Sequence, residues 1–202
     1  MRFDRLLTHA RLATMVPGEV AYGALLDAAI GIRDGRIAWV GPMADVPETG
    51  LETESLENRW VTPALVDCHT HLVFAGDRSD EFERRLAGES YTDISRSGGG
   101  IRKTVAATRK AGAAELAGGA LSRLDALSAE GVGTIEIKSG YGLTFDSELA
   151  MLKAARSLGL VSGLRVSTTL LAAHSIPVEY EGRSGAYIDE VCIPLIREAA
   201  RE

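Results

Sequence analysis

Two histidines separated by one residue stand in the run Val66-Asp67-Cys68-His69-Thr70-His71-Leu72. On a strand, residues i and i+2 share a face with their Cα atoms roughly 7 Å apart, so both imidazoles can converge on one ion. A divalent metal takes an imidazole nitrogen at about 2.0–2.1 Å, and imidazole binds it without giving up charge. The same spacing fits two half-buried strand histidines bonded to their neighbours, so the pair alone leaves both readings open. Cys68 alternates onto the opposite face, which predicts core packing rather than ligation.

The rest of the candidate chemistry lies at the ends of apolar runs. One run leads into Lys138-Ser139-Gly140-Tyr141-Gly142, and another delivers His174 in Ala172-Ala173-His174-Ser175. In parallel α/β sheets and barrels, reactive groups gather at the carboxyl ends of strands. Three of the four histidines occupy such positions. His9, the fourth, is expected on the surface.

The elements that must position these groups fall into two regimes. Up to about Asn58 the pattern is strands and turns, with Ala28–Arg33 and Arg36–Gly41 flanking Asp34-Gly35 as a hairpin. Residues 45–58 read as loop with one short strand. From Trp60 onward strands alternate with helices. Residues 61–72 form an apolar run interrupted at Pro63. Helical periodicity covers 102–130, broken near Gly112 and closed by Gly131. A strand over 132–138 follows, then a helix capped by Asp146 and ended by Gly159. Residues 164–173 read as a third strand. Helix returns over 185–202, with Pro194 kinking it or opening its second part. Short apolar strands separated by helices predict parallel βα units buried on both faces.

Composition narrows the class. The net charge is −6, and Lys and Arg are scattered with few aromatics, which argues against a nucleic-acid partner. No apolar stretch approaches the roughly 20 residues of a membrane span. The N-terminus lacks the long apolar core of a secretory signal. Two distant cysteines give no disulfide framework, and a cytoplasmic location is expected.

The quoted motifs carry a resemblance. Residues 61–71, Val-Thr-Pro-Ala-Leu-Val-Asp-Cys-His-Thr-His, resemble the opening metal motif of the amidohydrolase superfamily. The preceding hairpin resembles its N-terminal β-sandwich segment. More narrowly, residues 71–78, 97–101, 136–143 and 171–177, with Tyr180 and residues 187–189, resemble the imidazolonepropionases. That resemblance implies the first part of a (β/α)8 barrel over 61–202, preceded by a small β-sandwich segment over 1–60. It implies a metal-dependent hydrolase of histidine degradation, opening the ring of 4-imidazolone-5-propanoate to N-formimidoyl-glutamate. His69 and His71 would be ligands to one Zn²⁺ or Fe ion, and Arg78, Tyr141 and His174 would contact substrate. A metal makes water nucleophilic near neutral pH. A guanidinium can grip the propionate with two charge-assisted bonds. The resemblance also implies a homodimer.

Ordinary roles compete with each assignment. Arg78, beside Asp77, Asp80 and Glu81, could form a surface ion pair. The glycines around Tyr141 could mark a tight turn, and His174 could cap a helix. Lys138 reads as a structural residue rather than a carbamylated metal bridge, because imidazolonepropionases resemble the mononuclear branch. Gly98-Gly99-Gly100 reads as a mobile loop near the site. No histidine follows His174. The family's barrel needs roughly 250 residues, with a third histidine ligand, an acidic ligand and a general base from later strands. The chain is therefore expected to be the N-terminal half, with those groups beyond Glu202, binding metal weakly and not turning over alone. Two other readings stand beside this one. The chain could come from another amidohydrolase, such as a cytosine or guanine deaminase, or be a non-catalytic half-barrel that binds or assembles with a partner.

Overall fold

The computed structural model describes residues 2–201, which divide into two compact units, Met1–Pro63 and Ala64–Glu202. The first unit is a five-stranded sheet of β1 (Phe3–Ala13), β2 (Ala24–Arg33), β3 (Arg36–Pro42), β4 (Gly50–Ser55) and β5 (Trp60–Val61). Its order is β3-β2-β1-β4, with β5 also paired to β1; β1–β2 and β2–β3 are antiparallel and β4 and β5 run parallel to β1. The hairpin turn forms where expected. Asp34 and Gly35 both have positive φ, 52° and 68°, as a type I′ turn requires. Small apolar clusters form on it, Ala10, Leu12, Ala28 and Ile30 in one and Phe3, Leu6 and Ala29 in another. Among the described residues this segment is one sheet, without the second layer of a sandwich. An open apolar groove of about 740 Å³, lined by Leu12, Leu25, Ile30, Ile37, Val40 and Val61, runs along it.

The second unit holds a parallel sheet of β6 (Leu65–Thr70), β7 (Val132–Lys138) and β8 (Arg165–Thr169), in sequential order. Between β6 and β7 come α1 (Ser79–Leu86), α2 (Tyr91–Arg96), α3 (Ile101–Thr108) and α4 (Ala113–Ala129), and between β7 and β8 comes α5 (Phe145–Ser162). Ile135 and Ile137 are buried against Leu116, Ala120 and Leu124 of α4 and Met151, Ala155 and Leu158 of α5. This apolar layer fixes one face of the sheet, and the alternating residues Glu136 and Lys138 must then point to the other.

Several local expectations are corrected. The N-cap of α5 is Thr144, whose hydroxyl accepts from the Ser147 N–H; Asp146 lies in the first turn. The helix runs through Gly159 and ends at Gly163, which adopts the left-handed conformation (φ 72°). Gly159 is instead a contact residue: a Cβ there would lie 3.2 Å from Val166 of β8. The third strand is shorter than its apolar run and gives way to a 3₁₀ turn at Ala172–His174. After it, α6 (Ser184–Tyr187) passes through a π-turn at Ile188–Cys192 into α7 (Ile193–Ala199), with Pro194 in the first turn of α7. Pro194 thus opens the second helical part, directly after the π-turn.

The glycine loop is also better fixed than expected. The buried Glu81 carboxylate accepts the Gly100 N–H at 2.9 Å, and a Cβ on Gly99 would collide with Ile94 at 2.8 Å. Gly98 and Gly100 take positive φ, 90° and 67°, to make the turn into α3.

Candidate active site

The end of β6 is not a regular strand. Asp67 pairs with Ile135 and Thr70 with Ile137, so two residues, Cys68 and His69, oppose the single residue Glu136. This is a β-bulge, a device that re-aims side chains near sites. Asp67 holds it from within: its carboxylate accepts the His69 N–H at 3.1 Å and the Thr70 hydroxyl at 2.6 Å. The bulge also overturns the expectation for Cys68. Strict alternation would bury it, but it is exposed, because β6 is an edge strand bent at this point.

The carboxyl ends of the three strands bring the predicted aromatic residues together. The ring centroids of His69 and His71 are 5.7 Å apart, those of His71 and His174 4.6 Å, and those of His71 and Tyr141 5.0 Å. Tyr141 and His174 close the cluster at 5.7 Å. Phe74 stands edge-on to Tyr141 at 6.2 Å, under the guanidinium of Arg123, which also donates to the Leu72 and Phe74 carbonyls. Arg78 stands apart. It lies exposed at the start of α1 and makes no side-chain hydrogen bond or ion pair among the described residues. His9 is on the surface facing Asp27 at 3.2 Å.

His71 is the unusual member. Both its ring nitrogens are buried and neither makes a well-formed hydrogen bond, the Ser139 backbone offering only a marginal contact. Buried polar atoms are nearly always satisfied, so such an orphan calls for an explanation. Burial first, then the neighbouring His174, His69 and Lys138, push the His71 imidazole below its ordinary value, against a smaller opposing effect from the Ser139 backbone. It is therefore neutral at pH 7, the form that ligates metals. The unfolded chain, with an ordinary histidine near 6.5, takes up this proton before the folded chain does. Protonation of this group accordingly costs the fold nothing above about pH 6.5 and lowers its stability as the pH falls below that. The urea midpoint should drop more between pH 7.5 and 5.5 for the wild type than for His71→Leu; equal drops would remove His71 as the cause.

The loop presenting Tyr141 rests on a residue that sequence reading missed. Glu148, fully buried in α5, accepts three backbone N–H groups: Gly140 at 2.9 Å, Gly142 at 2.8 Å and Leu143 at 2.7 Å. Both glycines are needed for close approach rather than for a simple turn. A Cβ on Gly140 (φ 119°) would lie 2.9 Å from the His174 Cβ, and one on Gly142 would lie 2.7 Å from the Glu148 nitrogen. Arg109 ties the loop from outside, donating to the Gly142 carbonyl at 2.7 Å while pairing with Glu179. The His174 turn is pinned separately. Leu171 N–H donates to Ser139 Oγ at 3.0 Å, and the hydroxyl of the fully buried Tyr187 donates to the Ala172 carbonyl at 2.7 Å. No sequence signal marks Glu148 or Tyr187 as anchors, since the partners of both are backbone groups.

Lys138 pairs with Glu136 at 2.5 Å, and the Thr169 hydroxyl donates to the same carboxylate. Among the described residues, no three His, Cys, Asp or Glu side chains converge into a complete metal-binding group. The arrangement can hold an ion from one side, through His69 and His71, with Tyr141 and His174 beside it as hydrogen-bonding groups.

Solved structures share this parallel βα layout at the level of fold. A triazine hydrolase from Arthobacter aurescens superposes with a TM-score of 0.50 at 20% identity, over 82% of this chain and 35% of its own. Atrazine chlorohydrolase from Arthrobacter aurescens TC1, solved in complex with zinc, gives 0.50 at 18% identity, over 92% and 42%. No family model matches the sequence. Sequence relatives are far nearer. Imidazolonepropionase from Maricaulis maris is 72% identical over 202 residues, covering all of this chain and half of its own length. Those from Hyphomonas neptunium and Caulobacter sp. are 54% and 52% identical over all of the chain and 51% of theirs. The chain is thus homologous throughout to imidazolonepropionase, and spans about half the length of the curated relatives it matches.

Proposed function

We propose that this chain supplies the metal-binding and substrate-binding side of an imidazolonepropionase, which opens the ring of 4-imidazolone-5-propanoate with water to N-formimidoyl-glutamate. The observation that carries the reading is His71: a neutral imidazole with two buried nitrogens that make no well-formed hydrogen bond, flanked by His69, Tyr141 and His174. These residues fit a metal ion, Zn²⁺ or Fe, with His69 and His71 as its protein ligands here. A bound metal would supply Lewis acidity and activate water near neutral pH. Catalytic zinc normally takes three protein ligands, so the third histidine, an acidic ligand and the general base come from sequence that the relatives have and this chain does not contain.

This chain's own residues would bind and orient the substrate. Tyr141 and His174 would hydrogen-bond the ring or the oxygen that gains charge as water adds. Their anchoring by Glu148, Ser139 and Tyr187 keeps them in place before the substrate arrives, which is what such stabilisation requires. Arg78, exposed and unpaired, is free to reach the propionate with a two-pronged guanidinium contact. Lys138, paired with Glu136, stays structural.

The same reading extends the fold. Residues 61–202 would form the first strands of a (β/α)8 barrel, a layout supported by the sequential parallel order and the helices packed on one face. Residues 1–60 would form one layer of a β-sandwich, with the apolar groove along the sheet taking the second layer. A homodimer and a cytoplasmic location follow by analogy with the family. No helix among the described residues is long and apolar enough to cross a membrane.

The test uses the purified 202-residue chain. Zn²⁺ titration by competition with a chromophoric chelator should show weak binding of one ion, lost in the His69→Ala/His71→Ala double variant. The same preparation should leave 4-imidazolone-5-propanoate unconsumed. Equal zinc uptake by the double variant, or sustained turnover by the chain free of contaminating enzyme, would overturn the proposal.

A further inference from the structure

Glu136 holds an oxygen that neither the fold nor the substrate contacts use. Its Oε1 is held twice, by Lys138 Nζ at 2.5 Å and by the Thr169 hydroxyl. Those two donors fix the plane of the carboxylate. Oε2 is buried and has no partner. A carboxyl oxygen left bare in the interior is costly unless a donor completes it.

The bulge identifies the donor. Cys68 and His69 together oppose Glu136, because Asp67 pairs with Ile135 and Thr70 with Ile137. Metal-bound histidines generally donate their second ring N–H to a carboxylate or carbonyl, which fixes the tautomer and ring plane and raises ligand basicity. Among the described residues, no three His, Cys, Asp or Glu side chains converge into a metal-binding group that includes Glu136. We propose that Glu136 is a positioning residue for His69, its free Oε2 accepting the N–H of the ring nitrogen turned away from the metal. This rests on the reading of His69 as a ligand given above. Lys138 and Thr169 are the aiming device: both are donors, so both demand an oxygen and leave the other oxygen turned toward the bulge.

The test reads His69 directly. Ring ¹⁵N NMR of the 202-residue chain should show one dominant His69 tautomer in the wild type. Glu136→Ala should give a mixture. Glu136→Gln should reverse the preference, because Lys138 and Thr169 keep the amide oxygen and turn the NH₂ toward His69. Zinc affinity by chelator competition should fall about 10–100-fold in Glu136→Ala, with the amide spectrum showing that the variant remains folded. A His69 ring spectrum that is the same in all three proteins overturns the proposal even if zinc still binds. A tautomer that follows Glu136 in a chain that takes up no zinc sustains the positioning role and sinks the ligand reading instead.

Discussion

Glu148→Ala should lower the unfolding free energy of the chain by about 4 kcal/mol, the largest single loss expected from any residue around the histidine cluster. The side chain is fully buried and accepts from Gly140, Gly142 and Leu143. Each buried donor left without a partner costs about 1–3 kcal/mol, and three are orphaned together. The glycines cannot shift to recover them, because Gly140 is backed by His174 and Leu171 and Gly142 by the first turn of α5. Glu148→Gln should cost less, about 2 kcal/mol, since one amide oxygen still accepts while the NH₂ group opposes a donor. Urea unfolding followed by far-ultraviolet circular dichroism measures both. A loss under about 1 kcal/mol for the alanine variant, less than one orphaned donor should cost, would mean that the loop does not depend on Glu148.

That anchor marks the boundary of what the sequence makes legible. Glu148 sits in the first turn of an amphipathic helix, where an acidic residue reads as a surface partner of the helix dipole. Its burial depends on where the 139–143 loop folds, which no local pattern encodes. The bulge is hidden for a related reason: strand alternation predicts a face for each of Asp67–His71, and one inserted residue shifts the face of those beyond it. Features set by local backbone chemistry were readable. The Asp34-Gly35 hairpin, the breaks at Gly112 and Gly131, and the Val132–Lys138 strand stand where their residues put them. Gly159 shows the limit of that chemistry, for a helix-ending glycine and a close-packing glycine look alike in one sequence. The meeting of His69, His71, Tyr141 and His174 was legible because strand ends in parallel sheets share one rim. Arg78 was singled out by family resemblance alone, and its exposed position at the start of α1 carries no geometric argument of its own.

His71→Leu should make the metal-free chain more stable, by about 1–2 kcal/mol, while removing its response to zinc. The imidazole carries one donor and one acceptor, both buried and neither in a well-formed hydrogen bond. Each incurs the desolvation penalty of a lost hydrogen bond, and a leucine of similar reach has no polar atom to strand. The site is lined on one side by Tyr141 and His174 rings, against which an aliphatic side chain packs without loss. A stabilising loss of function is the signature of a group kept for binding rather than for the fold. In excess chelator the variant should therefore unfold at higher urea than the wild type. With zinc added, the wild type should gain stability in proportion to the logarithm of metal concentration above its dissociation constant, and the variant should not move. If His71→Leu is instead the less stable protein without metal, the imidazole is satisfied in solution by a partner inside the fold, and the argument for a ligand at this position falls with it.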